Sequence, residues 1–160
     1  MNKVKKELAE SNKISQNVII SGLKKLGSSE AEIASNDTKE VDRPFMALNI
    51  SRDDVISQKR IKTSYEKANL IQIEFRSSSD RMKALRESTK LRNNPDFQNV
   101  YINRDKTRSE MLLDKELRVE RSKRNATLEE QDEEGRPLGS DNGKKFYWGI
   151  RFDELRRIFV

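Results

Sequence analysis

The sequence predicts an α+β fold: a ferredoxin-like βαββαβ unit, extended by a long basic helix and a closing β-hairpin. Three observations carry this. NVIISGL (17–23) is crowded with β-branched residues and LIQIEF (70–75) alternates apolar with polar, so both read as strands. Ser29 with Glu32, Ser77 with Asp80 and Thr107 with Glu110 each place an acid three residues after a hydroxyl, the pattern that opens a helix. NRDKTRSEMLLDKELRVERSKRN (103–125) holds eight Lys or Arg against five acids in one helical stretch.

The elements follow in order. Residues 3–13 form a short helix with Val4 and Leu8 one turn apart, either a fragment of a coiled-coil seam or a frayed terminus. The first strand ends at Gly22. The helix opened by Ser29 carries Ile33, Val41, Phe45 and Leu48 on one face, and Pro44 biases Arg43 away from the helical region, which predicts a break or kink there. A second strand spans Val55 to Lys62, and 63–69 is a polar turn. After the third strand (70–75), an amphipathic helix over 79–92 points Met82 and Leu85 inward, and NNPD (93–96) is a turn. NVYIN (99–103) is the fourth strand and leads into the basic helix. Residues 127–143 carry six acids, one arginine and three of the six glycines, so they read as an acidic disordered linker. KKFYWGIRFDELRRIFV (144–160) closes the chain as a hairpin returning through Asp153–Glu154, its aromatics more fitted to packing than to base stacking. The expected organisation is a helix fragment over 1–14, a folded domain over 15–105, the basic helix over 106–126, the linker over 127–143 and the hairpin over 144–160.

Composition narrows the chemistry. The 160 residues are 33% hydrophobic and 38% charged, with net charge +6 and a pI near 9.5. A basic balance favours polyanionic partners through long-range attraction and counterion release. The acidic stretch makes the rest of the chain more basic than +6 suggests. No cysteine or histidine is present, which removes thiolate and imidazole metal ligands and the commonest general base. The acidic run Glu129–Glu134 lacks the rigid, convergent oxygens a divalent cation needs, and 138–145 fails the phosphate-loop pattern at both Leu138 and Lys145. No catalytic constellation is visible, so the expectation is a nonenzymatic protein without cofactor or metal. The longest apolar stretch is too short for a transmembrane helix, and the first residues lack an apolar signal core.

In the RNA-recognition-motif (RRM) domains built on this topology, two helices cover one face of the sheet and bases stack on aromatics of the other. Here the outward positions are Ile19, Leu70 and Gln72, and Tyr101 is the one aromatic assigned to the open face. Stacking contributes about 1–3 kcal/mol per base, so binding to this sheet would depend on backbone charge. The basic helix supplies that charge, with Arg104, Lys106, Arg108, Lys115, Arg118, Arg121, Lys123 and Arg124. Its acids sit three or four residues from several of these cations. Such pairs also suit a merely solvated helix, at about 0.2–0.5 kcal/mol each. Charge pattern alone leaves both readings open.

NVIISGL, DVISQKRIK, LIQIEFRSSSDRMKALRESTKLRN and FQNVYINRDKTRSEMLLDKELRVER together resemble the RNA-binding protein encoded by the first reading frame of LINE-type non-LTR retrotransposons, over roughly residues 15–125 and more weakly over 144–160. The resemblance implies a trimer on an upstream coiled coil, cooperative binding of single-stranded RNA, nucleic-acid chaperone activity and an intracellular, cytoplasmic ribonucleoprotein, with the nucleus as the alternative. With that coiled coil nearly absent, homo-oligomer formation becomes conditional on one upstream. The chain is then expected to be a fragment or a degenerate, element-derived protein whose hairpin is half of a C-terminal domain. On this reading Arg104, Lys106, Arg108, Arg118, Arg121 and Arg124 grip phosphates of single-stranded RNA, or of DNA. Tyr101, Ile19 and Gln72 meet sugars and bases, with Arg60 and Lys62 at the sheet edge. The alternative is a protein-interaction module in which Leu112, Leu113 and Leu117 contact a partner.

Overall fold

The computed structural model describes residues 2–62 and 69–160, so most of the expected polar turn at 63–69 lies outside the described residues. The chain is mixed α+β and divides into two compact units, Met1–Lys106 and Thr107–Val160. The N-terminal unit runs α1 (Lys3–Ile14), β1 (Asn17–Ser21), α2 (Glu30–Ala47), β2 (Val55–Arg60), β3 (Ile71–Phe75), α3 (Ser78–Glu87) and β4 (Tyr101–Arg104), with short 3-10 turns at Arg52–Asp54, Ser88–Asn93 and Pro95–Phe97. Its strands form one antiparallel sheet in the order β2-β3-β1-β4.

The core lies on one side of this sheet. Strand alternation sends Val18, Ile20, Ile71, Ile73, Phe75 and Ile102 to that side, where Val41 and Phe45 of α2, Leu48 just past its end and Ala84 of α3 cover them. The Phe45 and Phe75 rings stack with centroids 6.0 Å apart. No residue of α1 is buried, and Val4 and Leu8 are both exposed. Met82, expected inward, is exposed; Ala84 takes the buried position on α3 and Leu85 packs partly against the core.

Helix starts follow the sequence closely. Ser29 Oγ accepts the Glu32 N–H at 3.2 Å, but the Glu32 carboxylate turns back to Ser28, whose N–H and hydroxyl both donate at 2.9 Å. The Ser28 N–H, then its hydroxyl, hold Glu32 below the usual carboxylate pKa. Thr107 and Glu110 complete the reciprocal box, with the Thr107 N–H donating to Glu110 at 2.8 Å and the Glu110 N–H to Thr107 Oγ1 at 3.2 Å. The break expected near Pro44 does not occur: α2 continues to Ala47. Pro44 sits in the last turn, where the helix loses only the proline's own N–H bond before ending.

The C-terminal unit corrects the expected linker and hairpin. It comprises α4 (Arg108–Ala126) and four antiparallel strands in sequential order: β5 (Glu130–Gln131), β6 (Pro137–Asp141), β7 (Lys144–Arg151) and β8 (Glu154–Phe159). The segment over 127–143 thus supplies two strands instead of a disordered connection. Its acids lie on the surface and meet cations of the same unit: Glu130 pairs with Lys145, Asp132 with Arg136 at 3.5 Å, and Asp141 with Arg157 at 2.8 Å. Strands this short bury little, chiefly Leu138, so their composition resembles that of a flexible segment while backbone pairing holds them.

Both tight hairpins turn on two residues with positive φ. Asn142 and Gly143 (φ 51° and 78°) are a favoured pair for that geometry, whereas Phe152 and Asp153 (φ 54° and 56°) are not. The turn therefore falls one residue earlier than expected. Phe152 is 88% exposed, so its ring gains little from the fold beyond the approach of the Arg156 guanidinium at 5.7 Å. Phe152→Asn is expected to stabilise the C-terminal unit by about 0.5–1 kcal/mol, because asparagine tolerates the left-handed region. Urea unfolding followed by emission of the sole tryptophan, Trp148, measures it; a lower midpoint would contradict the strain.

Candidate functional site

The uncovered face of the N-terminal sheet is polar. Register aligns Lys59, Gln72, Ile19 and Asn103 across it, with Ser57, Glu74 and Asn17 in the next row. Ile19 and Gln72 are half-buried and Tyr101 is about half exposed, so these three expected residues share one face. A residue missed in the sequence organises it. Asp105, only 8% exposed, follows β4 and accepts from Gln72 Nε2 at 2.8 Å, Asn17 Nδ2 at 3.1 Å and the Lys106 N–H at 3.0 Å. Ser57 donates to Glu74 at 2.9 Å on the same face. Two carboxylates repel phosphate from this surface, so the face suits the neutral parts of a ligand. Only the long-range register of β1, β3 and β4 reveals the cluster.

The assignment of Arg60 to an edge contact is overturned. Its guanidinium holds Asp37 of α2 through two bonds, Nε at 2.9 Å and Nη2 at 2.7 Å, and Nη2 also donates to the Leu23 carbonyl at 3.0 Å. The two side chains are 15% and 5% exposed. The cause is a β-bulge between Val55 and Ser57. It inserts one residue into the alternation, so Ser57 and Lys59 face outward while Gln58 and Arg60 turn to the helix-covered side. Lys59 thereby becomes the exposed cation of β2 on the open face. Lys62 lies beyond the strand, almost fully exposed, 3.9 Å from Glu30. Arg104 alternates to the side of Ile102, and Lys106 follows Asp105 out of the strand.

In the C-terminal unit, cations are laid on aromatic rings. Arg124 of α4 stands 4.5 Å from the Trp148 ring while its Nε donates to Glu120 at 2.9 Å. Arg157 lies 4.9 Å from the Phe146 ring and 5.5 Å from Trp148, and Arg136 lies 5.2 Å from Tyr147. Phe146 is buried, as packing required, but Tyr147 and Trp148 stay partly open. A groove of about 550 Å³ runs beside Trp148, lined by Arg121, Ser122, Asn125, Tyr147, Trp148 and Arg151 among others. Arg121 and Arg124 thus sit at one end of α4 against β7, while Arg118 is exposed with Asp114 4.0 Å away and Arg108 is exposed in the first turn. Arg136, Arg151 and Arg157 were absent from the expected set; the aromatics and arginines gathered over 146–157 were the signal for Arg151 and Arg157, and nothing local marked Arg136.

Among the described residues, no group of three or more Asp or Glu side chains is placed to hold a metal ion, and no helix is long and apolar enough to cross a membrane. No family model and no curated protein matches this chain.

Proposed function

We propose that this chain is a noncatalytic single-stranded RNA-binding protein of LINE retrotransposon origin, able to take DNA as the alternative strand and to act as a nucleic-acid chaperone. Lys and Arg hold the phosphate backbone. The N-terminal unit is assigned the ferredoxin-like, RRM-like topology on the strength of its β2-β3-β1-β4 order and its single covered face. The observation that carries the functional reading is the set of guanidiniums on partly open aromatic rings in the C-terminal unit, Arg124 and Arg157 on Trp148 and Arg136 on Tyr147, beside a groove that Arg121 and Arg151 line. Cationic side chains interleaved with partly open aromatics suit a strand that offers phosphates and unstacked bases together. The carboxylates on this face, Asp105 and Glu74, support a reading in which the basic helix meets phosphates while Tyr101, Ile19 and Gln72 meet sugars and bases.

Anisotropy of a labelled oligouridylate of ~25 nucleotides at several salt concentrations tests this. Affinity is expected to fall steeply with salt, each neutralised phosphate of a single strand adding about −0.7 to the logarithmic slope. Salt-independent binding, or none by folded protein, overturns the reading. A second reading, a protein-interaction module, draws on Met111, Leu112 and Leu113, which α4 leaves 55%, 54% and 46% exposed. A partner complex that survives high salt without nucleic acid would favour it.

A further inference from the structure

We propose that the groove between α4 and the unpaired stretch of β7 receives one unpaired nucleobase of the bound strand. This rests on the nucleic-acid reading above and names where the C-terminal unit recognises base in addition to backbone.

The argument begins with an interrupted strand edge. β6 pairs with β7 only from Lys144 to Phe146, whereas β8 pairs with it from Phe146 to Arg151. The Val160 N–H bonds to the Lys145 carbonyl, so odd-numbered residues of β7 bond across to β8 and even-numbered ones turn to the other edge. At Trp148 that edge is closed by a side chain. The Asn125 carboxamide accepts the Trp148 N–H at 2.8 Å and donates to its carbonyl at 3.0 Å. Two residues on, Ile150 presents the same kind of main-chain pair to the same edge. One helical turn before Asn125, α4 places Arg121 and Ser122, neither of which carries a carboxamide, and the groove lies there. The Ile150 carbonyl accepts a 3.2 Å bond from its neighbour Arg151 and keeps a second lone pair.

A carboxamide and a base edge are chemically alike. Both set a donor beside an acceptor in one plane, which is why Asn pairs bidentately with adenine. The bond pair made by Asn125 at Trp148 is therefore one that a base can reproduce at Ile150. The walls agree with such an occupant. Tyr147 and Trp148 give aromatic surface, Arg121 and Arg151 give the positive charge for the flanking phosphates, and the volume of about 550 Å³ lies within the roughly 300–1,000 Å³ range of small-ligand sites. An added peptide strand fits less well. With Trp148 already capped, Ile150 alone is left to pair on this edge, and strand addition draws its affinity from several main-chain bonds.

Trp148, the only tryptophan, lines the groove and reports on it. The full chain would be titrated with labelled oligouridylate and with an abasic strand of equal length, so that phosphate number is fixed and only the bases differ. The base-bearing strand is expected to bind about 5- to 100-fold tighter and to change Trp148 emission at saturation; the abasic strand is expected to leave that emission unchanged. Ser122→Phe, which fills the groove from an exposed helix position, is expected to abolish both the emission change and the difference in affinity. Equal, salt-sensitive affinities with constant Trp148 emission would overturn the groove assignment and leave the phosphate reading standing. A base-dependent difference that survives Ser122→Phe would also overturn it, as would an emission change with an extended Val-Thr peptide and none with oligouridylate. Failure of both strands to bind would overturn the phosphate reading and the groove with it.

Discussion

Replacing Asp37 with alanine is expected to destabilise the N-terminal unit by about 3–5 kcal/mol, because it leaves a guanidinium unpaired in a nearly closed site. Arg60 reaches Asp37 through two bonds of 2.9 and 2.7 Å and is only 15% exposed, so solvent replaces the lost carboxylate poorly. Its remaining partner, the Leu23 carbonyl, is neutral. A loss of this size is a large fraction of the roughly 5–15 kcal/mol that holds a domain. The double variant Asp37→Ala with Arg60→Met removes both charges and is expected to recover most of the loss, since an apolar pair of similar volume often matches a buried ion pair. Chemical unfolding followed by far-ultraviolet circular dichroism measures both, with hydrogen exchange at Val18 and Ile73 to localise the effect. A single-variant loss below about 1 kcal/mol would mean that the pair is solvated. An Arg60→Lys variant that keeps its midpoint but loses RNA affinity would return Arg60 to the interface.

Arg60 also shows where legibility of the sequence ends. Helix starts could be read because each is written within four residues: Ser29, Ser77 and Thr107 all cap as their spacing indicated. β1, β3 and β4 could be read because their apolar residues repeat with the period of the pleat or form a β-branched run. The phase of β2 could not. VISQKR has no strict alternation, and one bulged residue inverts which side chains meet the core. The ion pair joins residues 23 positions apart, and nothing local in either segment announces it. The acidic strands failed for another reason. Disorder is inferred from composition, whereas β5 and β6 are held by backbone bonds and surface ion pairs that composition does not encode. Candidate site residues divide the same way. Exposed cations of α4 were legible from helical charge pattern, while Asp105 and the groove beside Trp148 arise only from pairings between distant segments.

The joint substitution of Arg108, Arg118 and Arg121 by glutamine is expected to lower affinity for single-stranded RNA about 100-fold at ~0.1 M salt, and to flatten the salt slope by about 2, at about 0.7 per lost phosphate contact. Helical spacing puts these three positions within one half of the circumference of α4, so one strand can meet them together. Glutamine keeps length and helix propensity, which confines the change to charge. Arg124 is left out because its guanidinium packs on Trp148 and pairs with Glu120, and its loss would disturb the ring as well as the field. The comparison of affinity with slope is what separates the readings of α4. A phosphate grip loses both, in proportion to the cations removed. A solvated helix, whose cations are balanced by acids such as Asp114 and Glu120, loses less than about fivefold with the slope unchanged. In that case the exposed Met111, Leu112 and Leu113 become the feature of α4 left to explain, and a protein partner becomes the ligand to seek.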